Sequence, residues 1–239
     1  MYFKTALATA LLSAAAVGQA EASTATFITS SPYAKFADSP FAAVPGIMLE
    51  DFEDGALNSP GVTASAGVVA GPGNSVDSVD GDDGVLDGNG NAGHSWYLTV
   101  PTVAFSFDAA VLGSLPTKVG IVWTDVGRNG NGAAQGGLGD HAFFDDVVMR
   151  AFDKDGKLLG GVLFDNLGDG NVGGATAEDR FFGAIFDGGI SRITLTSLNG
   201  SPDWEVDHLQ YGGFAVPLPS SGWLLAPALA LIGLRRKRA

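Results

Sequence analysis

Apolar and polar residues alternate through the middle of the chain. Residues 102–107 place Val103, Phe105 and Phe107 on one face and Thr102, Ala104 and Ser106 on the other, the period of a half-buried strand. Residues 118–123 are apolar on both faces, as expected of a strand in the middle of a sheet. Residues 147–152 and 158–164 flank Asp153-Lys154-Asp155-Gly156-Lys157, which predicts a hairpin. Residues 180–186 and 191–197 read as another strand pair around Asp187-Gly188-Gly189, and residues 204–211 as the last strand. The first strand is expected within residues 47–52, after an irregular lead-in at 23–46. No part of the body carries a useful helical period. The expectation is an all-β fold, a jelly-roll-like antiparallel β-sandwich over residues 47–213. Its first strand (49–52) and last strand (205–211) are expected to pair.

Composition supports this reading. The chain holds 35 Gly, and only 16% of its residues are charged, a balance that favours strands joined by many turns. Cys is absent, so the fold relies on its core, which a bound metal could help, rather than on disulfides. Without residues 1–22 and 216–239, 8 Lys and Arg stand against 25 Asp and Glu, a formal charge of −17. Such a field repels nucleic acid and attracts divalent cations.

Both ends read as addresses. In residues 1–22, Lys4 precedes an Ala- and Leu-rich apolar run, and Ala20-Glu21-Ala22 is a small-x-small cleavage site. This is the pattern of a signal peptide handled by the Sec translocon and signal peptidase. Residues 214–239 contain Val216-Pro217-Leu218-Pro219, an apolar stretch at 218–234 and the cluster Arg235, Arg236, Lys237, Arg238. The stretch is short for a membrane span and is interrupted by Pro227. The basic cluster would hold the C-terminus in the cytoplasm. An ordinary C-terminal membrane anchor fits the apolar span as well.

This tail resembles the PEP-CTERM sorting signals, in particular the VPLPA-CTERM variant, with Ser220 in place of the variant's usual Ala. The resemblance implies recognition by an exosortase, transient anchoring in the inner membrane, and cleavage that releases the body to the cell surface or exterior. It also implies a setting of exopolysaccharide. The body resembles a recurrent domain of PEP-CTERM proteins. The likeness runs from Phe52-Glu53-Asp54-Gly55 through Asp77-Ser78-Val79-Asp80-Gly81-Asp82-Asp83-Gly84 to Glu205-Val206-Asp207-His208-Leu209-Gln210-Tyr211-Gly212. No activity transfers with that likeness.

Three groups of residues carry candidate chemistry. Asp80, Asp82, Asp83 and Asp87 crowd one Gly-rich loop with Asp77. Crowded carboxylates suit Ca²⁺, which takes six to eight oxygens from flexible loops. The spacing is not that of an EF-hand, and a plain acidic turn in water fits equally. Glu50, Asp51, Glu53 and Asp54 near the first strand would meet Glu205 and Asp207 of the last if the two pair. Period 2 puts Glu205 and Asp207 beside Leu209 and Tyr211. On such a face they need a metal, unless they sit at a strand end in water. Trp96, with His94 beside it, is the aromatic expected to be exposed, as a platform for sugars or else as packing.

No His-Glu-x-x-His, nucleophile elbow or thiol chemistry is present, so no catalytic residue is assigned. The expected function is that of a non-catalytic, Ca²⁺-binding envelope or matrix protein. A secreted glycoside hydrolase or lyase, or a purely structural surface protein, are the alternatives.

Overall fold

The computed structural model describes residues 24–73, 76–80, 93–124, 147–164, 179–198 and 204–214. Twelve strands are described: β1 (Thr26–Pro32), β2 (Met48–Glu50), β3 (Val62–Ala64), β4 (Val68–Ala70), β5 (Ser95–Leu98), β6 (Thr102–Phe107), β7 (Lys118–Trp123), β8 (Val147–Phe152), β9 (Leu158–Phe164), β10 (Arg180–Ile185), β11 (Arg192–Ser197) and β12 (Trp204–Gly212). They form two antiparallel sheets. The larger runs β1-β10-β7-β12-β5-β4, with β2 also on β12, and the smaller runs β3-β6-β11-β8-β9. The sheets share one apolar core, an arrangement consistent with a β-sandwich.

The core follows from the alternation. Val103, Phe105 and Phe107 of β6 and Ile193 and Leu195 of β11 face Val119, Ile121 and Trp123 of β7 and Phe182 of β10. Trp123 and Trp204 stack with their ring centroids 4.3 Å apart. Each such side chain contributes about 1.5–3 kcal/mol by leaving water. The hairpin at 153–157 forms as expected: Asp153 Oδ1 accepts from the backbone N–H of Asp155 and Lys157, and Gly156 takes a positive φ of 75°. The expected pairing of first and last strands also forms, with Glu50 opposite Leu209 and Met48 opposite Tyr211.

Two expectations need correction. Residues 180–186 and 191–197 do not pair. β10 lies in the larger sheet and β11 in the smaller, and the connection between them crosses from one to the other. Backbone bonds from Phe186 to Thr117 and from Ile190 to Pro116 direct the chain across, and Ile190 enters the core. A Gly-rich turn predicts a reversal, but not whether the returning strand joins the same sheet.

Nor are residues 23–46 an irregular lead-in. β1 pairs with β10 at the sheet edge, so the β structure begins at Thr26 rather than at residue 47. A strap then crosses the outer face of the larger sheet, where Tyr33, Phe41, Val79, Val122 and Phe181 form a second apolar cluster. The floor of this cluster is the cross-strand pair Gly120 and Gly183. A Cβ on Gly120 would lie 2.2 Å from Phe181 Cζ and 3.1 Å from Phe41 Cε2, so the two rings occupy the space that side chains would take. The sequence pattern hid the strap because its aromatics stand singly among Ser, Pro and Ala.

Phe41→Ala should therefore lower unfolding free energy in urea by about 3 kcal/mol, as for a buried aromatic. A change under about 0.5 kcal/mol would mean that the strap is not part of the fold.

Candidate functional site

The strap, the loop at 76–80 and the turn after β2 meet on the outer face of β12. Trp204 and Val206 point into the main core, so period 2 sends Glu205 and Asp207 outward. The β12–β7 register then shifts between Asp207 and Gln210, and His208 takes a positive φ of 46°. This is a β-bulge. It places His208 and Gln210 on the outer face, after Asp207, and returns Leu209 and Tyr211 to the core. The expectation that Glu205 and Asp207 share a face with Leu209 and Tyr211 is thereby overturned. A strict two-residue period cannot register an extra residue.

Side chains of β12 hold the loop as a neighbouring strand would. Glu205 Oε2 accepts from the Asp77 N–H and the Ser95 hydroxyl, each at 2.7 Å. Asp207 Oδ2 accepts from the Val79 N–H at 2.9 Å and from the Ser78 hydroxyl at 3.3 Å. Asp207 Oδ1 accepts from the His208 N–H at 2.6 Å. His208 Nε2 lies 2.7 Å from Asp80 Oδ2.

On the other side of the ring, His208 Nδ1 is 2.8 Å from the Tyr33 hydroxyl. Gln210 Nε2 donates to Tyr33 Oη, and Gln210 Oε1 accepts from Ser39 of the strap. One chain of hydrogen bonds thus joins the strap, β12 and the acidic loop. Asp207, His208, Gln210 and Tyr33 are buried, while Asp80 is exposed.

Electrostatics at this face are dominated by burial. Burial pushes Asp207 up to about 7, against the attraction of His208 and the N–H groups of His208 and Val79. For His208, burial works against the charged form, but Asp207, the Asp80 hydrogen bond and the charges of Asp80 and Asp51 outweigh it and raise the imidazole. Burial, followed by the charges of Asp207, Asp80 and Asp38, raises Tyr33.

The other expected ligands have separate duties. Glu50 is buried, and its oxygens accept from the backbone N–H groups of Phe52, Asn58 and Ser59. It closes the turn after β2. Asp51 Oδ1 accepts from the Glu53 N–H in the same turn, where Phe52 takes a φ of 59° and packs on Trp96. Glu53 accepts from the His94 N–H and the Ser78 hydroxyl, and its Oε2 lies 3.3 Å from His94 Nδ1. Ser78 therefore links Glu53 to Asp207.

Trp96 departs from the expected exposure. Only 8% of it is accessible, its indole N–H donates to Ala66 O, and its ring packs against Phe52 and Phe105. It is core, with no open face for a sugar, because β5 turns Trp96 and Leu98 inward and Ser95 outward. Asp82, Asp83, Asp87 and the tail residues Val216 to Pro219 and Arg235 to Arg238 lie outside the described residues.

The structure therefore brings together Asp51, Glu53, Asp80 and Asp207 with His94, and adds Tyr33, Ser39, Ser78, His208 and Gln210. The adjacency of Asp207 and His208 was the available signal for the added histidine, but period 2 puts neighbours on opposite faces. Chemically, the arrangement can hold a cation or lock segments together. Two hollows lie away from this face, one beside Asp108 and Lys154 and one beside Asp187.

The fold and site define an all-β protein with antiparallel sheets and an acidic, partly covered outer face. No protein-family model matches the chain, and no curated protein matches it.

Glu50→Gln should cost about 1–3 kcal/mol in urea unfolding, because the amide replaces an acceptor that buried N–H groups require. The loss should be the same with Ca²⁺ or with chelator. A loss seen only with Ca²⁺ would make Glu50 a cation ligand instead.

Proposed function

We propose that the chain is an exosortase-sorted, non-catalytic protein of the cell envelope or exterior that binds Ca²⁺ and associates with an exopolysaccharide or biofilm matrix. The observation that carries this reading is the order of segments at the C-terminus. Val216-Pro217-Leu218-Pro219, the apolar stretch at 218–234 and the cluster Arg235 to Arg238 follow one another as in the VPLPA-CTERM variant of PEP-CTERM signals. The signal-peptide pattern of residues 1–22 supports export through the Sec translocon. Among the described residues, no helix is long and apolar enough to cross a membrane, and the proposed helix at 218–234 lies outside them.

The pairing of β2 with β12 supports the jelly-roll form of the sandwich. The calcium reading is supported by the gathering of Asp51, Glu53, Asp80 and Asp207 near Ser78 and His208, and by the further carboxylates Asp82, Asp83 and Asp87 that follow Asp80 in the sequence. Asp51, Glu53 and Asp80 offer hard oxygen donors from turns, which Ca²⁺ favours. The non-catalytic reading is supported by the use of Glu50, Glu205 and Asp207 as acceptors for backbone N–H groups. A glycoside-acting enzyme would need two carboxyl groups facing one another across a substrate groove.

Mass spectrometry of the exported protein should find a C-terminus near Pro219. An intact Arg238 on exported protein would refute the sorting proposal. Ca²⁺ should raise the melting temperature of the purified protein and a chelator should reverse the shift, since a ligand of the folded state stabilises it. Identical melting in both would remove calcium from the proposal and favour a purely structural surface protein.

A further inference from the structure

We infer that Asp80, Asp207 and His208 form a site for a zinc-class divalent cation, with one nitrogen and two carboxylate ligands. The inference rests on the reading of the acidic face as a cation site, and it names a donor set that calcium would not favour. One ligand atom from each residue falls within 4.8 Å of the others. Zinc–nitrogen and zinc–oxygen distances of about 2.0–2.2 Å set tetrahedral ligand atoms about 3.3–3.6 Å apart, so the three donors must draw together on the ion, and Asp80, the exposed member, is the one free to swing in. Ca²⁺ takes six to eight oxygens. An imidazole with few carboxylates suits zinc and its first-row neighbours better.

The histidine is oriented for this role. Its side chain is 2% exposed, and its Nε2 lies 2.7 Å from Asp80 Oδ2. Its Nδ1 is held by Tyr33 Oη, which is itself held by Gln210 Nε2. A partner on the far ring nitrogen is what fixes a metal-ligating imidazole in place. In binding, His208 releases its Nε2 proton to water, Nε2 turns from Asp80 to the cation, and Asp80 and Asp207 become ligands of the same ion.

Asp80 is 41% exposed, so the ion can enter from that side, and water can complete a four-coordinate shell there. Asp207 stays anchored to Val79 and the His208 N–H. The bound ion would tie the loop at 77–80 to β12 and, through Tyr33, to the strap.

The test uses the purified protein after chelator treatment, with Zn²⁺ and Ca²⁺ added separately and Co²⁺ as a spectroscopic probe. The wild type is compared with Asp80→Asn and His208→Gln. Asp80→Asn alters an exposed group and keeps the test valid if His208→Gln fails to fold.

Zn²⁺ at a hundredfold excess over its dissociation constant should raise the melting temperature by about 5 °C. Co²⁺ should give visible ligand-field absorption. Both substitutions should weaken Zn²⁺ at least tenfold and abolish the absorption. A Zn²⁺ shift that survives Asp80→Asn overturns the assignment, as does the absence of any Zn²⁺ effect. A Ca²⁺ shift unaffected by either substitution, without a Zn²⁺ effect, removes the trio and leaves the calcium reading standing. A Zn²⁺ shift alone supports the trio and removes calcium. No shift with either ion removes both.

Discussion

One extra residue in β12, where Asp207 meets His208, decides how the outer face of the larger sheet is used. Without it, the strand would alternate from Trp204 to Tyr211 with a single phase. Leu209 and Tyr211 would then leave the core, or Trp204 and Val206 would. The bulge lets all four stay inside while Glu205, Asp207, His208 and Gln210 face outward. It requires a left-handed backbone at a histidine, which a β-carbon disfavours. The hydrogen bonds of Tyr33 and Asp80 to that ring are the contacts that hold the residue there.

The outer face so created is neither an ordinary solvated face nor an ordinary core. On one part of it, Gly120 and Gly183 leave room for the rings of Phe41 and Phe181, and the strap packs down by hydrophobic contact. On the other part, carboxylates of β12 take up the backbone N–H groups of Asp77 and Val79. Burying a backbone donor without a partner is costly, and a carboxylate is a strong acceptor, so the two needs offset each other. The covering segments are thereby attached by two kinds of bond with different sensitivities. Apolar packing responds to volume, and the polar contacts respond to charge. The carboxylates are held close in a site of restricted solvent, which explains why burial raises Asp207 and why the charges around His208 raise the imidazole. A cation at this point would relieve the repulsion between groups that the fold has already brought together.

Much of the architecture was legible along the chain. β6, β7, β8 and β9 fall at the residues that alternation and turn chemistry indicated, because each is a run of local pattern bounded by Gly, Asp or Pro. β7 read as central, since Val119, Ile121 and Trp123 need one core and Val122 another. β1, β3, β4 and β5 were not legible. They are short or half-exposed, and their apolar residues are too few to show a period. Trp96 read as exposed because His94 and an acidic loop flank it, yet the turn at Phe52 and the pleat of β5 fold it inward.

The sequence by itself determined the all-β class, the acidic charge and the absence of disulfides. Each is a property of composition or of neighbours within a few residues. Only the tertiary structure decided that the β structure begins at Thr26, that β10 and β11 belong to different sheets, and that Asp80, Asp207 and His208 converge while Glu50 serves its own turn. Most of those outcomes depend on pairings between strands far apart in the chain and on one bulge that shifts the phase of a strand. A strand's local period carries no record of either.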